Sequence, residues 1–209
     1  MSIKNYIATE LLKIEAIKLR PNDPFTWSSG WNSPIYCDNR MTLSYPELRT
    51  AIKNAFKEEI EKRYPDVEAI AGVATAGIPQ GALIADAMEL PFIYVRSKAK
   101  GHGMTNMIEG EVRKGQKVVV IEDLISTGGS SIKAALALRE AGIEVLGLGS
   151  IFTYGFPHAT ANFKNENLDF FTLSDYTAML KPAVEMGYVN DADLKSLGEW
   201  RENPEEWKK

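Results

Sequence analysis

The sequence predicts an α/β fold, in which a central, mostly parallel β-sheet is flanked by helices. Two observations support this prediction. The middle of the chain contains short apolar runs without polar alternation, such as Ala69–Val73 and Val118–Ile121. Stretches with apolar residues at helical spacing separate these runs. Strands of a parallel sheet are continuously apolar because both of their faces are covered, and helices make their crossover connections.

Residues 1–45 are predicted to form a small N-terminal hood. Apolar residues recur at helical spacing between Ile3 and Lys18, which predicts a helix that the proline-containing segment Pro21–Pro24 must break. The following stretch, Phe25–Asp38, is rich in aromatic residues, serine and glycine. It predicts short strands joined by a turn.

Residues 46–175 are predicted to form the core, and residues 176–209 a C-terminal helical tail, so that the whole chain is one domain. The predicted helices of the core are Pro46–Tyr64, Pro79–Met88 and Ser130–Ala141. The predicted strands are Ala69–Val73, Phe92–Val95, Lys117–Ile121 and Ile143–Ser150. Ligands of such sheets bind beyond the carboxyl ends of the strands, so the loops at that edge are the candidate site.

Composition narrows the classes of function. With 44% apolar residues among 209, the chain can bury a full core without disulfides or structural metals. A net charge of −4 argues against a general nucleic-acid or membrane-surface binder. Cys37 is the single cysteine, which excludes an intrachain disulfide; we expect a small buried or half-buried residue rather than a reactive thiol. We find no signal peptide or membrane-spanning run and expect a cytoplasmic protein.

The most informative segment runs from Val118 to Ser131. An apolar strand ends in two carboxylates, Glu122 and Asp123, and a Thr-Gly-Gly-Ser turn then opens a helix. The N–H groups at a helix start can hold a phosphate, and glycines let the backbone approach it closely. The acids are suited to sugar hydroxyls and to positive charge on a ribose ring. The segment has neither the Gly-Lys-Ser/Thr of a P-loop nor the dinucleotide fingerprint, which lacks paired acids.

A second unusual segment, Arg96–Asn106, is basic, contains glycines and has no clear periodicity. A long loop inside a compact domain is usually functional or disordered.

The Val118–Ser131 segment resembles the phosphoribosyl pyrophosphate (PRPP) signature of type I phosphoribosyltransferases. Three more segments, in the same order along the chain, resemble the orotate phosphoribosyltransferase family in particular. They are Phe25–Gly30 with Ser33–Arg40, Ala74–Pro79, and Arg96–Gly103. Four ordered matches are far more specific than any one alone.

This resemblance implies Mg²⁺-dependent transfer of ribose 5-phosphate from PRPP to orotate, which gives orotidine 5′-monophosphate and pyrophosphate in pyrimidine biosynthesis. It also implies a homodimer with shared active sites, in which the basic loop closes over the neighbouring subunit. The residues implied to be catalytic are Asp123, Glu122 and Lys100. Those implied to bind PRPP are Arg96, Lys100, His102, Glu122, Asp123, Leu124, Ile125, Ser126, Thr127, Gly128, Gly129 and Ser130.

Within that set, the acids are implied to bind the ribose hydroxyls, and Ser126–Ser130 to hold the 5-phosphate. Ser126 is also implied to contact orotate. Arg96, Lys100 and His102 resemble a pyrophosphate clamp, and the Ala74–Pro79 turn is expected to add backbone N–H groups to it. Tyr36 and Arg40 are candidates for one wall of the base pocket, although ordinary aromatic packing fits Tyr36 nearly as well.

The chain departs from some family members at four positions. Ser28, Ala76 and Ser97 stand where those members carry lysine, and Tyr154 stands near an arginine that some use for orotate. The contacts to orotate therefore stay open. Two alternatives also stay open, a phosphoribosyltransferase for another base, such as a purine, and a non-catalytic regulator that senses PRPP. The aromatic segment and the basic loop favour orotate. His158 is expected in a loop, in a structural or exposed role.

Overall fold

The computed structural model describes residues 2–27, 29–98 and 107–208. Its N-terminal part is built from one helix and four short strands, which form two separate two-stranded antiparallel sheets. A 3₁₀ helix, Asn39–Ser44, follows the last of these strands. The other elements are α1 (Ile3–Lys13), β1 (Ile17–Leu19), β2 (Phe25–Thr26), β3 (Asn32–Ser33) and β4 (Ile35–Cys37).

The predicted N-terminal helix is shorter than its apolar pattern indicates. It ends at Lys13, and Glu15 then takes a left-handed backbone conformation with φ 56°. The helix therefore ends well before the prolines that were expected to break it. Ile17 lies instead on β1, where it pairs with Cys37 of β4. The prediction to Lys18 was wrong because an apolar residue at helical spacing can also be buried by strand pairing.

A six-stranded sheet forms the centre of the molecule, in the order β10-β9-β8-β5-β6-β7. All neighbouring pairs are parallel except β6 with β7, which confirms the mostly parallel sheet. The strands are β5 (Ala69–Val73), β6 (Phe92–Val95), β7 (Ile108–Glu109), β8 (Lys117–Ile125), β9 (Glu144–Thr153) and β10 (Phe170–Asp175).

Strands β8 and β9 reach further than their apolar runs predict. The pairing between them continues to Ile125 and Thr153, beyond the predicted ends at Ile121 and Ser150. Because backbone pairing does not depend on apolar side chains, the polar residues Glu122 and Asp123 lie on the strand itself. Their backbone is therefore held by the sheet.

Helices pack against the sheet, α3 on β5 and β8, and α4 on β8 and β9. They are α2 (Pro46–Arg63), α3 (Gly77–Met88), α4 (Gly129–Glu140), α5 (Pro157–Asn165), α6 (Tyr176–Glu185) and α7 (Asp193–Glu202). The predicted bounds of α2 agree closely with the observed ones, whereas α3 begins at Gly77, before the predicted start at Pro79. His158 lies in α5 rather than in a loop, and its ring stacks on Phe156 at 5.2 Å.

The two ends of the chain meet in one aromatic cluster. The Trp200 side chain of α7 is fully buried, and its ring lies 5.7 Å from that of Trp27, which follows β2. Tyr154, after β9, lies 5.6 Å from Trp200 and 5.2 Å from Trp27. Within the described residues, no helix is long and apolar enough to span a lipid bilayer.

Candidate active site

The two carboxylates at the end of β8 lie in different surroundings. Glu122 is buried, and its Oε2 accepts hydrogen bonds from the hydroxyls of Ser130, at 3.2 Å, and Ser131, at 3.1 Å. Its Oε1 accepts from the backbone N–H of Asp123 at 3.1 Å. Asp123 is half-buried, and its carbonyl oxygen accepts from the side chain of Asn39. Through the two serines, Glu122 joins the end of β8 to the first turn of α4.

Burial also sets the charge of this pair. Removal of Glu122 from water, together with the nearby Asp123 carboxylate, raises the pKa of Glu122 to about 8. Burial likewise raises the pKa of Asp123, although hydrogen bonds and the charge of Arg40 oppose that rise. Burial therefore favours the protonated forms of this pair, most strongly at Glu122.

Helix α4 begins with unpaired donors. Gly128 precedes it in a left-handed conformation, φ 83°, and no side chain caps the helix. Among the described residues, none accepts a hydrogen bond from the backbone N–H groups of Gly129, Ser130 or Ser131. Such N–H groups, with the positive end of the helix dipole, form an anion site. The turn is held in place by Asn162, whose side chain donates to the Thr127 carbonyl at 3.3 Å.

A second helix start lies at the same edge of the sheet. The turn after β5, Ala74–Ala76, leads into α3 without a side-chain cap, and the Ala74–Thr75 peptide bond is cis. Gly77 packs so tightly on β8 that a Cβ atom there would overlap the carbonyl oxygen of Ile121. Only glycine allows this approach, so the turn is held beside the carboxylate pair.

The basic loop after β6 lies partly outside the described residues, and Lys100 and His102 are among those outside. Arg96, at its start, donates from its backbone N–H to the Met107 carbonyl at 2.8 Å and pairs with Glu109 at 3.4 Å. The carbonyl of Ser97 accepts from the side chain of Lys133 at 3.1 Å. The structure therefore attaches the first residues of the loop to the sheet and to α4.

An open cavity of about 750 Å³ lies beside the turn. Its walls come from three separate parts of the chain, and they are mainly aromatic. The lining residues are Phe25, Thr26, Trp27, Ser29, Trp31, Tyr36, Cys37, Leu124, Ser126, Thr127 and Tyr154. We call this cavity the aromatic pocket; it is suited to a flat ring, because aromatic side chains bind such rings by stacking.

The structure brings some predicted residues into this pocket and not others. Ser126 and Tyr36 line it, whereas Arg40 instead makes two hydrogen bonds to the Asp38 carboxylate, at 2.6 and 2.8 Å. Tyr154 is buried in the wall of this pocket. No lysine or arginine is among the described residues that line the pocket.

Trp27 and Trp31 are pocket residues to which sequence reasoning gave no role. Their rings stack at 6.5 Å, and the Trp27 indole donates to the Ile35 carbonyl at 3.2 Å. The signals in the sequence were the aromatic richness of Phe25–Asp38 and, for Trp27, the family resemblance of Phe25–Gly30, but neither tells which rings face a ligand.

Comparison with known proteins extends these observations. Residues 42–171 match the phosphoribosyl transferase domain family. An orotate phosphoribosyltransferase of Cytophaga hutchinsonii is 60% identical over 209 residues, the whole of both chains.

Solved structures agree. An orotate phosphoribosyltransferase from Aeropyrum pernix has a TM-score of 0.76 at 27% identity, over 88% of this chain and 99% of that one. A UMP synthase of Leishmania donovani has a TM-score of 0.78 at 29% identity, over 94% of this chain. This chain spans only 42% of that longer protein.

Proposed function

Since the chain belongs to the phosphoribosyltransferase family and to its orotate phosphoribosyltransferases, we propose that it transfers ribose 5-phosphate from PRPP to orotate. The products are orotidine 5′-monophosphate and pyrophosphate, and the reaction serves pyrimidine biosynthesis in the cytoplasm. The observation that carries the proposal is the junction of β8 and α4. There, one short segment carries the carboxylate pair and an uncapped helix start, and it borders the aromatic pocket.

In this proposal the 5-phosphate binds the N–H groups at the start of α4 and the hydroxyls of Ser126 and Thr127. The positive end of the helix dipole lies at this N-terminus, so it attracts the negatively charged phosphate. Asp123 and Glu122 accept hydrogen bonds from the ribose hydroxyls. Glu122 accepts three hydrogen bonds from the protein and is buried, whereas Asp123 is only half-buried, so Asp123 is the more accessible of the two.

The bond between the ribose C1 and the pyrophosphate oxygen breaks, and its electron pair leaves with pyrophosphate. A ring nitrogen of orotate forms the new bond to C1 and gives up its proton. Positive charge builds on the ribose ring between these events. Preorganised negative charge near that ring lowers the barrier, and this is the catalytic role proposed for Asp123.

The departing pyrophosphate needs positive charge and N–H donors. We assign these to the turn before α3, to Arg96, and to Lys100 and His102, which lie outside the described residues. Arg96 is paired with Glu109, so pyrophosphate would have to compete for it. Ala76 and Ser97 add no positive charge, so the basic residues of the loop must supply most of the charge that binds pyrophosphate.

We also propose that Mg²⁺ takes part. Mg²⁺ keeps several waters and binds substrate phosphates with one or two carboxylates nearby. Among the described residues, no three acidic, histidine or cysteine side chains could form a metal site, whereas Glu122 and Asp123 could hold the waters of an ion carried by PRPP. Bound there, Mg²⁺ would neutralise charge on the leaving pyrophosphate.

The activity is tested by the loss of orotate absorbance when PRPP, Mg²⁺ and protein are mixed. We expect turnover with orotate and none with adenine, hypoxanthine or uracil, and no turnover when Mg²⁺ is removed with a chelator. Transfer to a purine instead of orotate would overturn the choice of base. Because the aromatic pocket alone does not exclude a purine, the comparison of turnover among these bases decides which base is the substrate.

The proposed homodimer has active sites shared between subunits. Asp123→Asn and Lys100→Ala proteins, each nearly inactive, are mixed and allowed to exchange subunits. If the acid and the lysine of one site come from different subunits, hybrids regain one intact site per dimer. Exchange demonstrated by a tag, without recovery of activity, would mean that each subunit works alone.

A further inference from the structure

We propose that Asn39 is a positioning residue, which holds the backbone of Asp123 through its side-chain amide. This inference rests on the proposed function, because it concerns how the carboxylate pair is kept in place. Asn39 comes from the N-terminal part of the chain and is 1% exposed. Its Nδ2 donates to the Asp123 carbonyl oxygen at 2.7 Å.

The need for this bond follows from the sheet. Strand β5 pairs with β8 only as far as Ile121, opposite Gly72. Asp123 lies two residues further on, where β5 gives β8 no further partner. A buried carbonyl without a partner costs free energy, and beyond Ile121 only β9 holds β8, on one side. The Asn39 amide supplies a hydrogen bond to β8 at the residue that is proposed to face the ribose.

Asn39 is itself held by two hydrogen bonds, one to its side-chain oxygen and one to its backbone carbonyl. Its Oδ1 accepts a hydrogen bond from the Cys37 thiol at 3.4 Å, and Cys37 lines the aromatic pocket. Its backbone carbonyl accepts from the hydroxyl of Thr42, which is fully buried, at 2.6 Å. With Oδ1 occupied by the thiol, Nδ2 is the atom that faces Asp123.

The chain of hydrogen bonds continues to the second helix start. Gln80, in the first turn of α3, donates from Nε2 to the Thr42 hydroxyl at 3.1 Å. Gln80 is 1% exposed, and its Oε1 has no partner among the described residues. One buried path therefore joins the aromatic pocket, the carboxylate pair and the helix that follows the pyrophosphate turn. Asn39 is its central member.

The test is a set of Asn39 variants assayed with orotate and PRPP under the conditions in which the unaltered protein turns over. In Asn39→Asp the shape is kept, but a donor becomes an acceptor that faces the Asp123 carbonyl. We expect kcat to fall by about 10- to 100-fold, as misplacement of a reacting group by about 1 Å does, with a much smaller change in the KM for orotate. Asn39→Ala should lose less, because it removes the donor without adding repulsion.

A role in packing alone predicts the opposite order, because alanine leaves a cavity that aspartate fills. The matched control is Asn32→Asp, whose amide, in the same part of the chain, donates to the Lys208 carbonyl at 2.5 Å and should leave kcat unchanged. Equal kcat for Asn39→Asp and the unaltered protein would overturn the proposal. Lack of orotate transfer by the unaltered protein would instead reject the proposed function.

If the Asn39 variants do not fold, Thr42 gives a second test. Thr42→Val keeps the shape and removes the hydroxyl that both holds Asn39 and accepts from Gln80. We expect kcat to fall with Thr42→Val and to be restored in large part with Thr42→Ser, which retains the hydroxyl. Equal loss with both variants would mean that the methyl group, and not the hydrogen bond, matters.

Discussion

The carboxylate pair with its turn and the aromatic pocket are neighbours in space, yet they are built in opposite ways. The first is one continuous segment, from Glu122 to Ser131, in which backbone groups and short polar side chains form the site. The second brings together the N-terminal strands, the end of β9 and the turn itself, with Trp200 of α7 packed behind it. In the proposed function, the chemistry on PRPP thus takes place at a local structure, and the base is chosen by a long-range one.

This difference predicts different responses to substitution. A change in the local segment should reduce turnover or strain its backbone, because few other contacts can replace what is lost. A change in the pocket wall should chiefly reduce affinity for the base, since several rings share the contact. Four experiments, from the largest expected effect to the smallest, examine this division.

The largest effect is expected for Asp123→Asn, which removes the proposed charge near the ribose. Turnover should fall by roughly 10²-fold or more, as is typical when one transition-state electrostatic contact is lost. Steady-state kinetics on the folded variant measures it. Asp66→Asn, an exposed acid that pairs with Lys117 at the opposite end of β8, is the matched control and should keep its turnover. Near-normal turnover of the Asp123 variant would remove Asp123 from the catalytic role.

The next effect concerns the two adjacent glycines of the turn. Gly128→Ala should lower the free energy of unfolding by about 1 to 3 kcal/mol, because φ is 83° and the new Cβ would lie 2.6 Å from the Phe163 ring. Gly129→Ala should cost little, since its Cβ would meet only the Thr127 hydroxyl at 3.9 Å. Denaturant unfolding of both variants measures the difference. Equal costs would mean that the turn is not held in the left-handed conformation.

A third effect should appear as a pH dependence of stability. Glu122 has a raised pKa of about 8, so between about pH 4.5 and pH 8 the folded state holds a proton that the unfolded state has lost. Stability from this group is therefore full below about pH 4.5 and is lost as the pH rises through 8.

The glutamine side chain of the Glu122→Gln variant cannot ionise, so this variant should not lose stability in this way as the pH rises. The stability difference should move in favour of the variant as the pH rises from about 6 to about 8, by on the order of 2 kcal/mol. Thermal unfolding across this range measures it. A difference that is independent of pH would show that Glu122 ionises normally in the folded protein.

The smallest effect is expected in the pocket. Tyr36→Ala should raise the KM for orotate by about tenfold, from a stacking contribution of about 1 to 3 kcal/mol, and change the KM for PRPP much less. Tyr36 is 42% exposed, so the fold should tolerate the change. Tyr45→Ala is the matched control, because Tyr45 is 41% exposed and lies outside the pocket. If both tyrosines had the same effect, the pocket would not be the base site.

Much of the fold was predictable because it depends on local patterns. Strands β5 and β6 begin and end where their apolar runs do, and α2 follows its apolar spacing almost to the residue. The errors lie where distant pairing intervenes. Ile17 lies on β1 and not in the predicted helix, because it pairs with β4. Strand β8 extends to Ile125 because it pairs with β9, and local sequence patterns do not indicate either pairing.

The same division holds for the site. The sequence alone determined the order of strand, acid pair, glycine turn and helix start, because these features follow one another in the chain and each depends on local residues. Only the tertiary structure decided which rings line the pocket and that Asn39 reaches the Asp123 carbonyl. Those contacts join residues far apart in the chain, and burial, which depends on the whole packed core, selects them.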